Sequence, residues 1–252
     1  MLTTVWAGGR AADKTGVETQ TPPSLSLATR DHARAALARA FEEAAVMPGT
    51  LLPHEILTEL RDVAISIVDE VLPHDNHGVV GNSAEPALYL VEHSIDATVL
   101  GLSMGRRLAP EDSLGELGIG LFIQDIGKLV LPPTLVHNPG PLAPDEWELM
   151  MQHPRLGLEL LRDDTISAPA KSVVRSHHER WDGSGYPGGL VGEEIPLFSR
   201  IAAVADVFGA VTSERFHAHA LPPQEGIDLI RTGSGSKFDP AVVEAFLDVA
   251  GR

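Results

Sequence analysis

Wherever apolar residues cluster in this chain they recur at intervals of three and four, and alternating runs are almost absent; this property restricts the fold to packed helices. Ile56, Leu60, Val63, Ile67 and Val71 fall on one stripe of a helix predicted over 54–72. Such a stripe needs a partner surface, either within the chain or on a second copy, so a packing role or a homodimer contact is expected of it. The same spacing runs through Leu88, Val91, Ile95, Val99 and Leu102, and again through Leu114, Leu117 and Leu121. Further helices are predicted over 31–47, 145–153, 167–178, 196–216 and 239–250, the last capped by Asp239 with Pro240 in its first turn. No internal repeat is visible, so the expected fold class is all-α, a helical bundle around one core. Residues 1–28 read as a loose tail, 29–80 as an N-terminal helical segment and 81–252 as the larger unit.

Composition narrows the chemistry. Hydrophobic residues make up 43% of the 252, enough for a sizeable core. A formal net charge of −16 argues against non-specific binding to DNA and leaves room for a phosphate ligand only in a local pocket. With no cysteine, any metal must be held by His, Asp or Glu. No apolar run is long enough to span a membrane, and nothing at the N-terminus reads as a signal peptide, so a cytoplasmic location is expected.

His93, Asp125, His153, the doublet His177–His178 and Asp206 all lie where helices would face a core. Taken singly they have ordinary readings: His93 as a satisfied core histidine, Asp125 with Lys128 as a partly buried ion pair. Taken together they form an oxygen-and-imidazole set suited to iron, manganese or a similar divalent ion. A carboxylate such as Asp125 is able to bridge two metals, and paired metals suit phosphodiester hydrolysis. Lys128, Arg180, Arg200 and Arg215 lie in or near these motifs and offer positive charge to a phosphate.

The run His-Glu-Arg-Trp-Asp-Gly-Ser-Gly-Tyr-Pro from His178 to Pro187 resembles the hallmark of the HD-GYP domain family. The likeness continues through HSIDA at His93, QDIGK at 124–128, the stretch around His153, GEEIPLFSRIAAVADVF and KFDPAVVEAF, and covers about residues 86–250. It implies an all-α, HD-superfamily, metal-dependent phosphodiesterase that hydrolyses the bacterial messenger cyclic di-GMP to pGpG, and on to GMP in some members, by metal-activated water. By motif, His93, Asp125 and Asp206 would share a first ion, with Asp125 bridging to a second held by His153, His177 and His178. Two divalent ions, iron or manganese, are implied. Lys128 would lie against the scissile phosphate, with Arg180 and Arg215 as further substrate contacts. The Gly-rich loop of Gly185, Tyr186 and Pro187 would flank the site and contact a signalling partner.

The chain departs from the pattern at three places. Gln124 stands where the family's namesake histidine precedes the aspartate, so the first metal site is expected to be weakened, with Gln124 as a poor ligand. Tyr89 replaces the Glu of three-metal members, so no third ion is expected. After Asp206 only Arg215 is kept, with His217 and His219 as other donors. A second reading therefore stands beside the enzyme: an impaired domain that binds cyclic di-GMP or metal and signals.

Overall fold

The computed structural model describes residues 25–46, 50–74, 89–138, 140–162, 164–213 and 220–251. Of the expected tail, residues 1–24 lie outside these, while Leu27 and Ala28 already belong to the first helix. That helix, α1 (Leu27–Val46), lies against α2 (His54–Val71), and both pack on α3 (Tyr89–Leu108). Leu60, Val63 and Ile67 are fully buried, with Val71 nearly so, and Leu57, Ala64 and Val68 widen the buried face. The α2 stripe thus finds its partner inside the chain, on α1, α3 and α4 (Leu114–Phe122), rather than on a second copy. Each such aliphatic side chain contributes roughly 1.5–3 kcal/mol by leaving water.

The remaining helices are α5 (Pro133–Val136), α6 (Pro144–Met150), α7 (His153–Leu160), α8 (Ala168–Ser176), α9 (Leu197–Thr212), α10 (Pro223–Thr232) and α11 (Pro240–Ala250). Helix α3 packs on α4, α9 and α11, and α4 on α8, so one continuous core runs from Leu57 through Leu117 and Val173 to Phe208 and Phe246. Among the described residues strand pairing is confined to two isolated bridges, Asp182 with Val191 and Ser234 with Phe238. The chain is therefore all-α, as its spacing requires.

One expected helix divides. Instead of running over 145–153, it stops at Met150, and α7 starts afresh at His153. Pro154 has no N–H to give the Met150 carbonyl, which would have been its i−4 acceptor, and proline is at home in a first turn. The freed carbonyl accepts instead from Nδ1 of His153 at 2.8 Å. At the other end of the chain, Asp239 caps α11 as expected, its side chain accepting from the Ala241 N–H at 2.8 Å.

Candidate metal centre

Five elements deliver six His and Asp residues to one buried place. His93 comes from the first turns of α3, and Asp206 from the middle of α9; the sequence separates them by 113 positions, yet His93 Nε2 lies 2.9 Å from Asp206 Oδ1. Gly209, one turn beyond Asp206, faces the same imidazole: a Cβ there would meet His93 Nδ1 at 3.4 Å, an ordinary contact. Asp125 stands directly before the short 3-10 turn Ile126–Val130, which also carries Lys128, and its carboxylate makes no capping bond to that turn. His177 and His178 follow the last turn of α8, where the chain has left the helix and both rings turn to the same side, centroids 4.1 Å apart.

The approach of the 3-10 turn to α7 depends on Gly127. A Cβ at that position would lie 1.9 Å from the His153 carbonyl oxygen and 2.5 Å from the Gly157 nitrogen, so only glycine lets the two backbones touch. Gly157, facing it, is less confined: a Cβ there would meet Val174 Cγ1 at 2.8 Å and the Gly127 nitrogen at 3.2 Å. Through this contact Asp125 Oδ1 reaches 3.4 Å from His153 Nε2 and 3.6 Å from His177 Nε2. Asp125 Oδ2 accepts from Lys128 Nζ at 2.7 Å.

The ring orientations decide what the cluster is able to do. His153 Nδ1 donates to the Met150 carbonyl, and His177 Nδ1 to that of Val173 at 3.0 Å. Each Nε2 then carries a lone pair, and the two face each other at 3.3 Å beside a carboxylate oxygen that has no hydrogen-bond partner. Two imidazole nitrogens and a carboxylate oxygen converging on one buried point form a donor set that suits a cation. One atom from each of Asp125, His153, His177 and His178 lies within 4.8 Å of the others, and so do atoms of His93, Asp125 and Asp206. The residues present thus fit two divalent ions sharing Asp125.

Electrostatics point the same way. Burial pushes His153 down to about 3, with the Lys128 ammonium adding to the shift against the opposing pull of Asp125, so its imidazole is neutral at physiological pH. Burial likewise drives His178 well below its ordinary value. Asp125 resists the upward push of burial because the Lys128 ammonium and the imidazoles of His153 and His177 close by hold it well below the carboxylate range. Asp206 is also buried, yet His93 and His178 keep it low. Neutral imidazoles with ionised carboxylates are the protonation states that ligate metals.

A loop closes one side. Tyr186 stacks on His178, rings 4.8 Å apart and 23° from parallel, and Trp147 of α6 meets Tyr186 edge-on at 6.4 Å. Gly185 is pressed onto the chain at 178–180, where a Cβ would fall 2.3 Å from the Arg180 nitrogen. The Tyr186–Pro187 peptide is cis. Glu179, almost fully buried, accepts from the N–H groups of Gly188 at 2.6 Å and Leu190 at 3.1 Å and so fixes the loop. The sequence signal for this role was present, a carboxylate directly after the His doublet, but its acceptor geometry is a tertiary fact.

Among the other residues singled out, Gln124 is fully buried and neither amide atom has a hydrogen-bond partner. The guanidinium of Arg180 lies over the Phe238 ring at 5.6 Å, with Nη1 buried. Arg200, considered above as a phosphate contact, is committed elsewhere: it donates to Asp239 at 2.5 Å and to the Ile195 carbonyl at 2.9 Å, and its guanidinium lies over Trp181. It ties α9 to the start of α11. Arg215, His217, His219 and the side chain of Tyr89 lie outside the described residues.

Likeness to known proteins bears on the family and the fold. Residues 82–242 match the model of the HD domain, and the chain belongs to that family. It is 44% identical over 154 residues to the cyclic di-GMP phosphodiesterase response regulator RpfG of Xanthomonas campestris, covering 60% of this chain and 39% of that one. It is 42% identical over 134 residues to a cyclic di-GMP phosphodiesterase of Vibrio cholerae, covering 50% and 27%. The chain thus spans between about a quarter and two fifths of the length of these relatives. In fold it is similar to an HDG"Y"P protein from Bdellovibrio bacteriovorus, with a TM-score of 0.64 at 16% identity, covering 94% of this chain and 74% of that one. Among the described residues no helix is long and apolar enough to cross a membrane.

Proposed function

We propose that this chain is a metal-dependent phosphodiesterase that opens cyclic di-GMP to pGpG, with GMP as a further product. The observation that carries this reading is the convergence of neutral imidazoles and ionised carboxylates on Asp125, with Lys128 bonded to the same carboxylate. His153, His177, His178 and Asp125 would hold one divalent ion, and His93, Asp206 and Asp125 a second, with Gln124 beside them. Bound there, iron or manganese supplies an activated water and positive charge toward the phosphate oxygens.

The chain's own residues do the rest. Lys128 is half-buried, with its ammonium held at Asp125, so its charge is directed at the edge of the centre where a phosphate would meet it. Arg180 and Arg215 are the further phosphate or base contacts of this reading. Burial keeps His153 and His178 as lone-pair donors through the neutral range. Tyr186, buried among carboxylates, is held above its ordinary value and stays a neutral phenol stacked on His178, which orients that ring. The loop of Gly185, Tyr186 and Pro187 is the surface proposed to meet a signalling partner, and a homodimer would have to use a face other than the covered stripe of α2. With an intracellular messenger as substrate, this reading has the chain working in the cytoplasm.

The test is hydrolysis of cyclic di-GMP by protein loaded with Mn²⁺ or, without oxygen, Fe²⁺, followed by separation of pGpG and GMP, with other cyclic dinucleotides as competitors. Product formation supports the reading. Tight nucleotide binding with no product would favour the impaired-domain reading, which the unpartnered Gln124 supports; absence of both would remove cyclic di-GMP as the ligand.

A further inference from the structure

The two donor groups differ in how ready they are for an ion, and we infer that they fill in order: His153, His177 and His178 with Asp125 take the first ion, and the His93–Asp206 group fills only at a much higher metal concentration. This deepens the reading of the pocket as a divalent-metal centre and does not depend on which phosphodiester it cleaves.

Three observations carry the order. In the first group, His153 and His177 have their Nδ1 atoms tied to main-chain carbonyls, so both Nε2 lone pairs are already aimed inward, and Asp125 Oδ1 waits beside them without a partner. An ion entering there gives up only the long 3.3 Å contact between the two Nε2 atoms and leaves both Nδ1 anchors in place. In the second group, His93 Nε2 and Asp206 Oδ1 already satisfy each other at 2.9 Å, so an ion must first displace that bond. The third observation is Gln124, fully buried next to Asp125 with both amide atoms unpartnered. Directly before Asp125 in the chain, it offers only a neutral amide oxygen, a poorer donor for these ions than the third imidazole of the other group. The shared Asp125 adds to the difference, since the second ion meets a carboxylate whose charge is already partly neutralised and a cation close by.

The experiment uses the full chain, stripped by chelation and titrated with Mn²⁺ while the electron paramagnetic resonance signal of free Mn²⁺ reports what is bound. The expected result is one equivalent bound tightly and a second at least about 10-fold more weakly, the lower end of the loss seen when a metal site's supporting groups are disturbed. Gln124→His should draw the second equivalent to within a few-fold of the first. Asp206→Asn should remove the second and keep the first, and His177→Ala should do the reverse to the tight equivalent. Two equivalents of one affinity in the parent protein would overturn the order, as would loss of the tight equivalent in Asp206→Asn. Because binding is counted without substrate, stepwise filling with no hydrolysis would remove only the phosphodiesterase reading, and equal filling with hydrolysis would remove only this inference.

Discussion

His153 and His177 present their Nε2 atoms to each other across 3.3 Å, each ring locked from behind by a main-chain carbonyl. The Met150 carbonyl is free for His153 because α6 ends there, whereas the Val173 carbonyl accepts from both the main-chain N–H and Nδ1 of His177. The consequences reach stability as well as chemistry.

Acid should weaken the metal-free fold earlier than carboxylate protonation alone would. An imidazole in the unfolded chain takes a proton near 6.5, whereas buried His153 does so only at about 3. Between those values the unfolded state binds more protons, so the stability is complete above about pH 6.5 and is lost as pH falls, by up to about 1.4 kcal/mol per pH unit from this one group. Asp96, raised by burial to about 7, acts in the opposite sense, its contribution being lost as pH rises through that value. Urea unfolding of chelated protein between pH 5 and 7, beside His153→Gln, should show a shallower pH slope in the variant.

Gly127→Ala should separate the 3-10 turn from α7. The new methyl group cannot occupy a point 1.9 Å from a backbone oxygen, so one element must move, and overpacking of this kind costs about 1–3 kcal/mol or more. Thermal unfolding should report the loss, and metal binding should fall with it because Asp125 and His153 are carried on the two parts.

Lys128→Met should divide turnover from metal content. The ammonium is expected to stabilise charge that grows on the phosphate, and losing such a group costs about 10²–10³ in kcat. Asp125, relieved of its bonded cation, should hold metal at least as well as before. Metal analysis and steady-state hydrolysis on one preparation check both halves.

Glu179→Ala should loosen the loop that carries Tyr186. It leaves the Gly188 and Leu190 N–H groups without their acceptor, at a cost of about 1–3 kcal/mol. Hydrogen exchange across 183–191 should quicken by about 10-fold or more, and since Tyr186 stacks on His178, metal affinity should drop in the same protein.

Much of this was legible in the residues themselves. Spacing of three and four fixed helices, because a helix buries one face and each apolar side chain must fall on it; Asp239 and Pro240 marked a helix start for local reasons of capping. The missing cysteines and the six His and Asp residues determined the kind of ligand set available. What the chain alone did not determine is which atoms meet. The helix expected over 145–153 ends three residues early at Met150, and the carbonyl that Pro154 cannot bond becomes the anchor of His153. Arg200, which charge alone makes a phosphate contact, is drawn to Asp239, and Gly127 and Glu179 gain their roles from neighbours distant in sequence. Local backbone preference is set by adjacent residues, whereas the direction of a ring nitrogen or a guanidinium is set by whichever partner packing brings within 3 Å, and that is decided only when the helices close on one another.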